Sequence, residues 1–403
     1  MRLAFLTHEP FYPPSGGGSA EAVYLVEELV RRRHEVHLFC PKVVDPMAVE
    51  SRFGVRLHEF KTWQMGRYAS LRNFKYLAYP FLLQRMVEAS ARTVRFDLVL
   101  SQHAISAVTA GRLKDRLHVP VVMNFLDYLT GFMETWPSYL APPPLLAAME
   151  RFELSLPLKH NADAVMTVSD TLADYFAAAG YPRDRILPIY YGYDSDLFIP
   201  KSLKPGHPID PSPVMVMHGS FDHHHLGVIA RDAVGLIAQR RPDAIFRFVG
   251  HRTPALSKFV EQMRKRSPQL RIECTGFVPY AEIASHLNSA TIGIVPYEES
   301  TGTHCAFVAK IVEYLAVGLP VVSTPLNSAL RFFGEERLVR FSEFDGKSFS
   351  QNILSWLETP LESRRALVPV AMERVKKLLD WRAISKNAID FLEATQKRAH
   401  SRS

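Results

Sequence analysis

The chain has 403 residues, of which 47% are hydrophobic and 22% are charged, and its mean hydropathy is −0.04. This balance excludes disordered and fibrous proteins, and the length favours two hydrophobic cores over one. The formal net charge of +7 favours an acidic partner, for which nucleic acid, anionic lipid and a phosphorylated small molecule all stay open.

The first half of the chain alternates short β-rich runs with helix-length amphipathic stretches, which is typical of α/β proteins with parallel sheets. Strands are predicted there at 3–7, 36–39, 98–101, 119–125, 164–168 and 186–190. The apolar N-terminus is interrupted at His8, and no apolar run is long enough to span a bilayer, so we expect a cytoplasmic protein. The separated cysteines, Cys40, Cys274 and Cys305, indicate reduced thiols that lie mostly in the core.

A proline-rich segment at 200–213 lacks hydrophobic periodicity and indicates a linker. Beyond it the alternation resumes, with strands predicted at 215–218, 245–249, 271–275, 292–296, 320–323 and 338–341. The last helices are predicted at 361–379 and from 381 to about 396. We therefore predict a first domain at 1–199, the linker at 200–213, a second domain at 214–380, and a C-terminal helix within 381–403 that crosses back to the first domain.

Two doubly wound sheets joined by a linker would face a cleft, and open α/β sheets bind ligands outside the carboxyl ends of their strands. Residues that follow predicted strands are therefore candidates for the site, and in the first half these are His8, His103 and Asp127. Asp127 is preferred because it ends the apolar run that begins at Val121. Its alternative role is to cap the segment that follows.

A glycine-rich loop follows the first predicted strand and precedes a segment with helical spacing at 20–33. Glycines let backbone N–H groups approach an anion, and the helix N-terminus adds a favourable dipole, so diphosphate is the natural ligand of Gly16, Gly17 and Gly18. A dinucleotide-binding fingerprint would need glycine where Glu21 stands. A plain flexible turn is the alternative.

The segment 296–324 contains Lys310 and Glu313 on one predicted helix. A spacing of three residues places the ammonium and the carboxylate on one face, where both can point at a ligand. An ordinary ion pair on a surface helix is the alternative.

Several motifs occur in an order that resembles the retaining GT-B glycosyltransferases of the family four, or group 1, type. They are Gly16-Gly17-Gly18, Asp163-Ala164-Val165 with Ser169, Tyr191-Gly192-Tyr193-Asp194 with Phe198 and Pro200, and Glu313-Tyr314-Leu315-Ala316 with Gly318-Leu319-Pro320-Val321-Val322. The resemblance covers nearly the whole chain. It implies two Rossmann-like domains facing a cleft, and a nucleotide-diphosphate sugar bound mainly by the C-terminal half.

The resemblance also implies roles for particular residues. Gly17 and Gly18 would face the donor diphosphate, Glu313 would hold the ribose hydroxyls, and Asp127 would face the acceptor hydroxyl. Backbone at Gly276, Phe277 and Val278 matches the nucleobase contact, and the residues that match amides offered to phosphate are Cys305, Ala306, Phe307 and Val308.

Some positions depart from the family pattern. Cys305 stands where a sugar-binding glutamate is common, and Glu298 or Glu299 are the candidates to replace it. Ser220 and His225 stand near the places of the family's arginine and lysine. Positive charge for the diphosphate would then come from Lys310, which we predict to be catalytic, and from Arg252 after the predicted strand at 245–249.

The run of histidines at 223–225 suggests a metal site, but consecutive side chains diverge and no ligand-spaced carboxylate or cysteine is evident. Relatives in the resembled family need no metal. We therefore expect no metal and no cofactor, with the nucleotide sugar acting as substrate.

The stretch 61–95 contains seven Lys or Arg and one acidic residue, interleaved with aromatic residues. This composition suits an anionic membrane that carries a lipid-linked acceptor, and it would place the protein peripherally at the inner face of the membrane. Helices with buried aromatic residues and solvated charges are the alternative. No nucleic-acid motif is present, so no nucleic-acid partner is expected.

The sequence therefore predicts a glycosyltransferase that acts on an unidentified acceptor, for which a lipid-linked or cell-envelope glycan is a candidate. Retention of anomeric configuration is implied by the resemblance alone. Two alternatives stay open: a sugar-nucleotide epimerase of the same fold, and a catalytically silent donor-binding subunit, which Cys305 and Ser220 make credible.

Overall fold

The computed structural model describes residues 1–14, 17–61, 72–136, 138–139, 141–200 and 212–401, and for 72–77 it describes the backbone alone. The chain divides into two compact units. Unit 1 consists of Met1–Thr130, Ser138–Tyr190 and Arg382–Ser403, and unit 2 consists of Gly131–Pro137 and Tyr191–Trp381. Residues 201–211 of the predicted linker lie outside the described residues, so the domain boundaries stay a prediction.

Unit 1 is built on a seven-stranded sheet with the order β3-β2-β1-β4-β5-β6-β7, in which all neighbours are parallel. The strands are β1 (Arg2–Leu6), β2 (Glu35–Pro41), β3 (Arg56–Phe60), β4 (Leu98–Gln102), β5 (Val121–Phe125), β6 (Ala164–Thr167) and β7 (Ile186–Pro188). The central strands β4 and β5 are buried along their whole length, as expected for a parallel sheet covered on both faces.

Unit 2 is built on a six-stranded parallel sheet with the order β10-β9-β8-β11-β12-β13. Its strands are β8 (Val214–His218), β9 (Ile245–Val249), β10 (Arg271–Gly276), β11 (Ile292–Val295), β12 (Val321–Ser323) and β13 (Val339–Phe341). The two parallel-sheet units confirm the predicted α/β fold class. All the predicted strands are present to within a few residues, whereas β3 was missed because it is an edge strand whose sequence, RLHEF, is half polar.

Helices connect the strands in both units. In chain order they are α1 (Gly17–Arg31), α2 (Pro46–Phe53), α3 (Arg72–Ala91), α4 (His103–Leu117), α5 (Leu129–Met133), α6 (Pro143–Lys159), α7 (Asp170–Ala178), α8 (Val228–Arg240), α9 (Pro254–Arg266), α10 (Tyr280–Asn288), α11 (Thr301–Cys305), α12 (Ala309–Ala316), α13 (Asn327–Phe333), α14 (Gly346–Glu358), α15 (Leu361–Leu379) and α16 (Trp381–His400). Among the described residues, no helix is both long and apolar enough to cross a membrane.

The last helix, α16, packs within unit 1 near the end of α1. Arg32 Nη1 lies 2.6 Å from Asp390 Oδ1, and His34 Nε2 lies 2.9 Å from Glu393 Oε1. The sequence predicted an end near Gln396, but the helix runs to His400. The predicted end was too early because it rested on polar composition alone, whereas Lys397, Arg398 and His400 are all compatible with the last turn of a helix.

The strand order reverses once in each sheet, between β1 and β4 in unit 1 and between β8 and β11 in unit 2. At such a switch point the connections leave in opposite directions, which opens a crevice at the carboxyl ends of the strands. Each unit therefore has one defined place at which to look for a ligand site.

Candidate active site

The switch point of unit 2 has a floor of two glycines. Gly219 follows β8 with φ +98°, and Gly250 follows β9 with φ +150°. A Cβ atom on Gly250 would lie 2.1 Å from the carbonyl oxygen of Gly219, which no side chain could tolerate. A Cβ atom on Gly219 would lie 3.4 Å from Lys310 Nζ. The glycines thus keep backbone exposed beside an ammonium group, which is an arrangement suited to an anion.

Lys310 lies in the first turn of α12, whose residues Ile311, Val312 and Leu315 anchor the helix in the core. Its Nζ atom donates a hydrogen bond to the Tyr297 hydroxyl at 2.8 Å. Tyr297 follows β11 and is 5% exposed. The ammonium is therefore held at the switch point by a buried phenol.

A buried histidine also contacts the Tyr297 hydroxyl. His225 Nε2 lies 3.0 Å from the Tyr297 hydroxyl, and His225 Nδ1 accepts a hydrogen bond from the Asp222 backbone N–H at 3.0 Å. Burial, followed by the charges of His224 and Lys310, keeps the pKa of His225 well below its usual value. Burial also lowers the pKa of His224 to about 3. His225 is therefore neutral and does not replace the positive charge of the family's lysine.

Glu313 lies one turn after Lys310, but the two do not pair with each other. The Glu313 carboxylate hydrogen-bonds to Nε2 of His218, the last residue of β8, and both side chains are buried. Lys310 instead contacts Tyr297. The surface ion pair that the spacing allowed is thus not formed within the described structure.

The turn after β10 is open. Gly276 has φ +78°, and a Cβ atom there would meet nothing within 4 Å. The Phe277 side chain is 54% exposed and stacks on His251 with ring centroids 4.7 Å apart. Arg252 is exposed beside it, and Val278 is half-buried. An exposed aromatic stack at a strand end is a suitable platform for a nucleobase.

The segment predicted to offer amides to phosphate is largely committed to the core. Cys305, Ala306, Phe307 and Val308 are all buried. The Ala306 N–H donates to the Gly302 carbonyl at 3.0 Å, which closes the short helix α11. The Ala306 amide is therefore engaged within the protein, and the predicted phosphate contact of this segment stays a prediction.

Glu298 also has a structural partner. Its carboxylate accepts a hydrogen bond at 2.8 Å from the Ile229 N–H in the first turn of α8, and it fills the space where a side chain at Gly227 would lie. A carboxylate at this end of a helix is favoured by the helix dipole. Glu299 and Ser220 are exposed, so of the two predicted glutamates Glu299 is the one with a solvent-facing carboxylate.

One feature of the histidine run escaped the sequence reading. Asp222, His224 and His225 each offer a ligand atom, and these atoms lie within 4.8 Å of one another. The Asp222 carboxylate was overlooked because it directly precedes the run rather than standing at a helical spacing. Both nitrogens of His225 already make hydrogen bonds, and Lys310 is close enough to lower the pKa of both imidazoles. These are unfavourable conditions for a divalent cation.

The switch point of unit 1 is acidic. His103 begins α4 with φ +67° and is buried, and its Nε2 atom lies 3.5 Å from Glu9 Oε2. Burial alone lowers the pKa of His103, but the charges of Glu9, Asp127 and Glu21 outweigh it and raise the pKa above its usual value. His8 packs edge-on against His103, with ring centroids 5.1 Å apart.

Of the three predicted loop glycines, Gly17 and Gly18 lie in the first turn of α1, and Gly16 lies outside the described residues. A Cβ atom on Gly18 would lie 3.1 Å from Glu9 Oε2, from His103 Nε2 and from a methyl carbon of Leu126. The Gly18 carbonyl accepts a hydrogen bond from Gln102 Nε2 at 2.9 Å. Close packing thus accounts for glycine at position 18, and the nearby Glu9 carboxylate is an unfavourable neighbour for a diphosphate.

A carboxyl group is buried on α1 one turn after Gly18. Glu21 is 0% exposed, and its Oε1 atom accepts a hydrogen bond from Asn124 Nδ2 at 2.5 Å. Burial raises the pKa of Glu21 to about 8, with Asp127 adding to the effect. Glu21 Oε2 and Asn124 Oδ1 are buried and have no hydrogen-bond partner among the described residues. A protonated Glu21 could donate to Asn124 Oδ1, which would satisfy both atoms.

The structure therefore gathers His8, His103 and Asp127 at one switch point and His225 and Lys310 at the other. Residues that the sequence reading missed are His218, Tyr297, His251, Glu21 and Asn124. His218 ends β8 and Tyr297 lies two residues after β11, so the rule that found His103 could have found both, whereas Asn124 lies inside β5. Glu21 gave no such signal, since a buried glutamate on a helix looks like any exposed one.

Two doubly wound parallel sheets, each with polar residues at its switch point, have the architecture of the GT-B fold. A family model described as "Glycosyl transferase 4-like domain" matches residues 16–192, and one described as "Glycosyl transferases group 1" matches residues 212–359. The chain belongs to this family and is a glycosyltransferase. The predicted family, enzyme class and GT-B fold are confirmed.

Individual relatives agree with this assignment. The chain is 22% identical over 350 residues to WcaL of Escherichia coli K12, a glycosyltransferase named for colanic acid biosynthesis, covering 84% of this chain and 80% of WcaL. Sucrose-phosphate synthase of Thermosynechococcus elongatus has a similar structure, with a TM-score of 0.77, 18% identity and 98% of each chain covered. HepE of Anabaena, solved with UDP and glucose, has a TM-score of 0.72 and 16% identity over 97% of this chain and 99% of its own.

Proposed function

We propose that the protein transfers a sugar from a nucleotide-diphosphate sugar to an acceptor hydroxyl, with retention of configuration, and that unit 2 binds the donor. The observation that carries the proposal is the Lys310 ammonium beside the glycine floor of Gly219 and Gly250. A fixed cation beside exposed backbone favours an anionic leaving group whose charge grows during transfer. The presence of UDP in the structure of the HepE relative supports a donor of this class.

Unit 2 also offers groups for the rest of the donor. Glu313, fixed by His218, would accept hydrogen bonds from the ribose hydroxyls. The Gly276 turn, with Phe277 on His251, would contact the nucleobase, and Arg252 would add positive charge nearby. The nucleotide sugar is then a substrate, and no metal or other cofactor is required.

Unit 1 would serve the acceptor. Asp127 lies in the electrostatic field of His103 and Glu21, and a carboxylate with a neighbouring imidazole suits proton transfer from a hydroxyl. Gly17, the first residue of α1, is half-buried and stays a candidate for phosphate contact, whereas Gly18 is closely packed. Asp127→Asn should reduce turnover while leaving donor affinity near the wild-type value.

A thermal-shift screen tests the donor assignment. UDP, GDP, ADP and their glucose conjugates are added to the full chain, and the nucleotide that binds the folded state should raise the melting temperature. Products formed with and without candidate acceptors then separate the alternatives. Sugar transfer that requires an acceptor supports the proposal, whereas an epimerised nucleotide sugar without acceptor, or binding with no turnover, would overturn it.

We also propose a peripheral contact with anionic membrane through the stretch 61–95. Residues 62–71 lie outside the described residues, but α3 presents Phe81, which is 57% exposed, and Arg85 to solvent. Arg112 of α4 stacks on the Phe81 ring, with the guanidinium carbon 4.4 Å from its centroid. Exposed aromatic groups flanked by arginines suit a bilayer interface, with about 1 kcal/mol per basic contact.

Flotation with phosphatidylglycerol vesicles at increasing salt tests this contact. Replacing Arg67, Arg72 and Lys75 by glutamine should weaken binding, whereas the same number of changes at Arg240, Lys258 and Lys265 of unit 2 should not. If vesicle binding is absent, or is unchanged by the replacement of Arg67, Arg72 and Lys75, the membrane proposal is wrong and the stretch is an ordinary solvated helix.

A further inference from the structure

The donor and the acceptor in each hydrogen bond of Tyr297 can be assigned, because a backbone N–H near His225 can only donate. The Asp222 backbone N–H can only donate, and it points at His225 Nδ1 at 3.0 Å. That nitrogen must therefore carry a lone pair. Burial of His225 favours the neutral ring, so its proton lies on Nε2.

His225 Nε2–H accordingly donates to the Tyr297 hydroxyl oxygen, at 3.0 Å. The Lys310 ammonium, which has no acceptor capacity, donates to the same oxygen at 2.8 Å. A phenolic oxygen has two lone pairs, and both are now used. The Tyr297 proton is left to donate, and it has no acceptor among the described residues.

We infer that Tyr297 is a donor-binding residue, whose hydroxyl donates a hydrogen bond to a non-bridging oxygen of the nucleotide diphosphate. The inference rests on the proposed function and deepens it. His225 and Lys310 fix the direction of the hydroxyl proton, so the hydroxyl is organised before the ligand arrives.

The surroundings favour a phosphate oxygen over other acceptors. Lys310 Nζ and the backbone at Gly219 lie on the same side of the switch point, and Lys310 pairs with no carboxylate in the described part of the chain. Glu313, the nearest acidic residue on α12, is engaged by His218. The acceptor that the phenol lacks is therefore expected from an anionic ligand.

Tyr297→Phe removes only the hydroxyl and gives the first test. Isothermal titration of the full chain, with whichever nucleoside diphosphate binds in the screen, should show affinity reduced about tenfold or more, as for a hydrogen bond to a charged group. Binding of the corresponding nucleoside should stay unchanged. Tyr181→Phe is the matched control, because that hydroxyl donates to the Ala162 carbonyl in unit 1 and should affect neither ligand.

Tyr297→Phe also removes the anchor of Lys310, so the test is repeated in a Lys310→Met background. If the phenol donates directly, Tyr297→Phe still weakens diphosphate binding about tenfold in that background. If it acts only by holding Lys310, the second change adds nothing and the inference is overturned. Equal loss of nucleoside and diphosphate binding would overturn it as well.

Variants of His225 keep the inference testable if Tyr297→Phe does not fold. His225→Leu frees one lone pair of the phenol and should weaken diphosphate binding several-fold, whereas His225→Gln retains an N–H donor and should restore part of it. Identical behaviour of the two variants would contradict the inference. A wild-type chain that binds no nucleoside diphosphate would instead overturn the proposed function itself.

Discussion

Both units are built on a doubly wound parallel sheet, but they differ in the charged groups at the switch point of that sheet. In unit 2 the switch point holds Lys310, a neutral His225 and a phenol, and Glu313, one turn further along α12, is engaged by His218. In unit 1 it holds Glu9, Glu21 and Asp127 around His103.

A helix or strand end that is opened by glycine therefore does not by itself define an anion site. Gly219 of unit 2 lies beside an ammonium group, whereas Gly18 of unit 1 lies beside a carboxylate. On this ground we propose that the diphosphate binds to unit 2 and that unit 1 serves a hydroxyl and its proton. Each of the following experiments tests one side of this contrast.

The largest effect is expected from Lys310. If its ammonium meets the charge that grows on the leaving diphosphate, Lys310→Ala should lower turnover by about a hundredfold or more, and donor affinity by less. Steady-state kinetics with the donor varied gives both values. Lys265→Ala is the control, because that side chain is exposed on α9 and forms an ion pair with Glu261. Normal turnover in Lys310→Ala would show that this ammonium does not stabilise the leaving diphosphate, and the proposed difference between the two units would fail.

Glu313 should affect binding rather than the chemical step. Replacing it by glutamine weakens hydrogen bonds to ribose hydroxyls, so donor and nucleoside diphosphate should both bind more weakly by roughly 1.5 to 3 kcal/mol. The Michaelis constant for the donor should rise with little change in turnover. Glu336→Gln controls for the loss of a buried carboxylate in unit 2 and should leave that constant unchanged. A fall in turnover alone would contradict the assignment.

The sequence predicted the parallel sheets well because strand runs such as Ile292–Val295 contain no polar side chain. It placed His103, Asp127 and Lys310 near the sites because strand ends and helix starts are local features. It missed the pairing of Glu313 with His218 and that of Glu21 with Asn124. Those contacts join residues about a hundred positions apart, and only the folded register of the sheet brings them together.

Glu21 offers a test of the acidic side through pH. Its folded pKa of about 8 lies above the ordinary value of 4.5, so between these values the unfolded chain ionises while the folded chain stays protonated. Stability should therefore fall as pH rises through this window, by at most about 1.4 kcal/mol per pH unit. Glu21→Gln, an isostere of the protonated acid, should remove the dependence.

Melting temperatures of wild type and variant between pH 5 and pH 8 measure the effect. The control is Glu28→Gln on the same helix: the Arg31 and Arg32 guanidiniums hold the pKa of Glu28 below its usual value, so it should give a constant offset. His103 and Asp127 face Glu21 and are present in both proteins, so only the difference between wild type and Glu21→Gln is informative. A difference independent of pH would mean that Glu21 is ionised in the folded state.

The smallest effect is expected from metal removal, and it tests whether the histidines of unit 2 act as proposed. Asp222, His224 and His225 are close enough to hold an ion, but a metal on His225 Nε2 would displace the hydrogen bond to Tyr297 and would lie near the Lys310 ammonium. We therefore expect EDTA to leave turnover unchanged, and added Zn²⁺ or Mn²⁺ to leave the melting temperature unchanged. Asp222→Asn supplies the internal check, since it removes the only carboxylate of the cluster. If activity fell with EDTA, returned with one added metal and became insensitive to both in Asp222→Asn, the cluster would be a metal site. In that case His225 would not orient the Tyr297 hydroxyl.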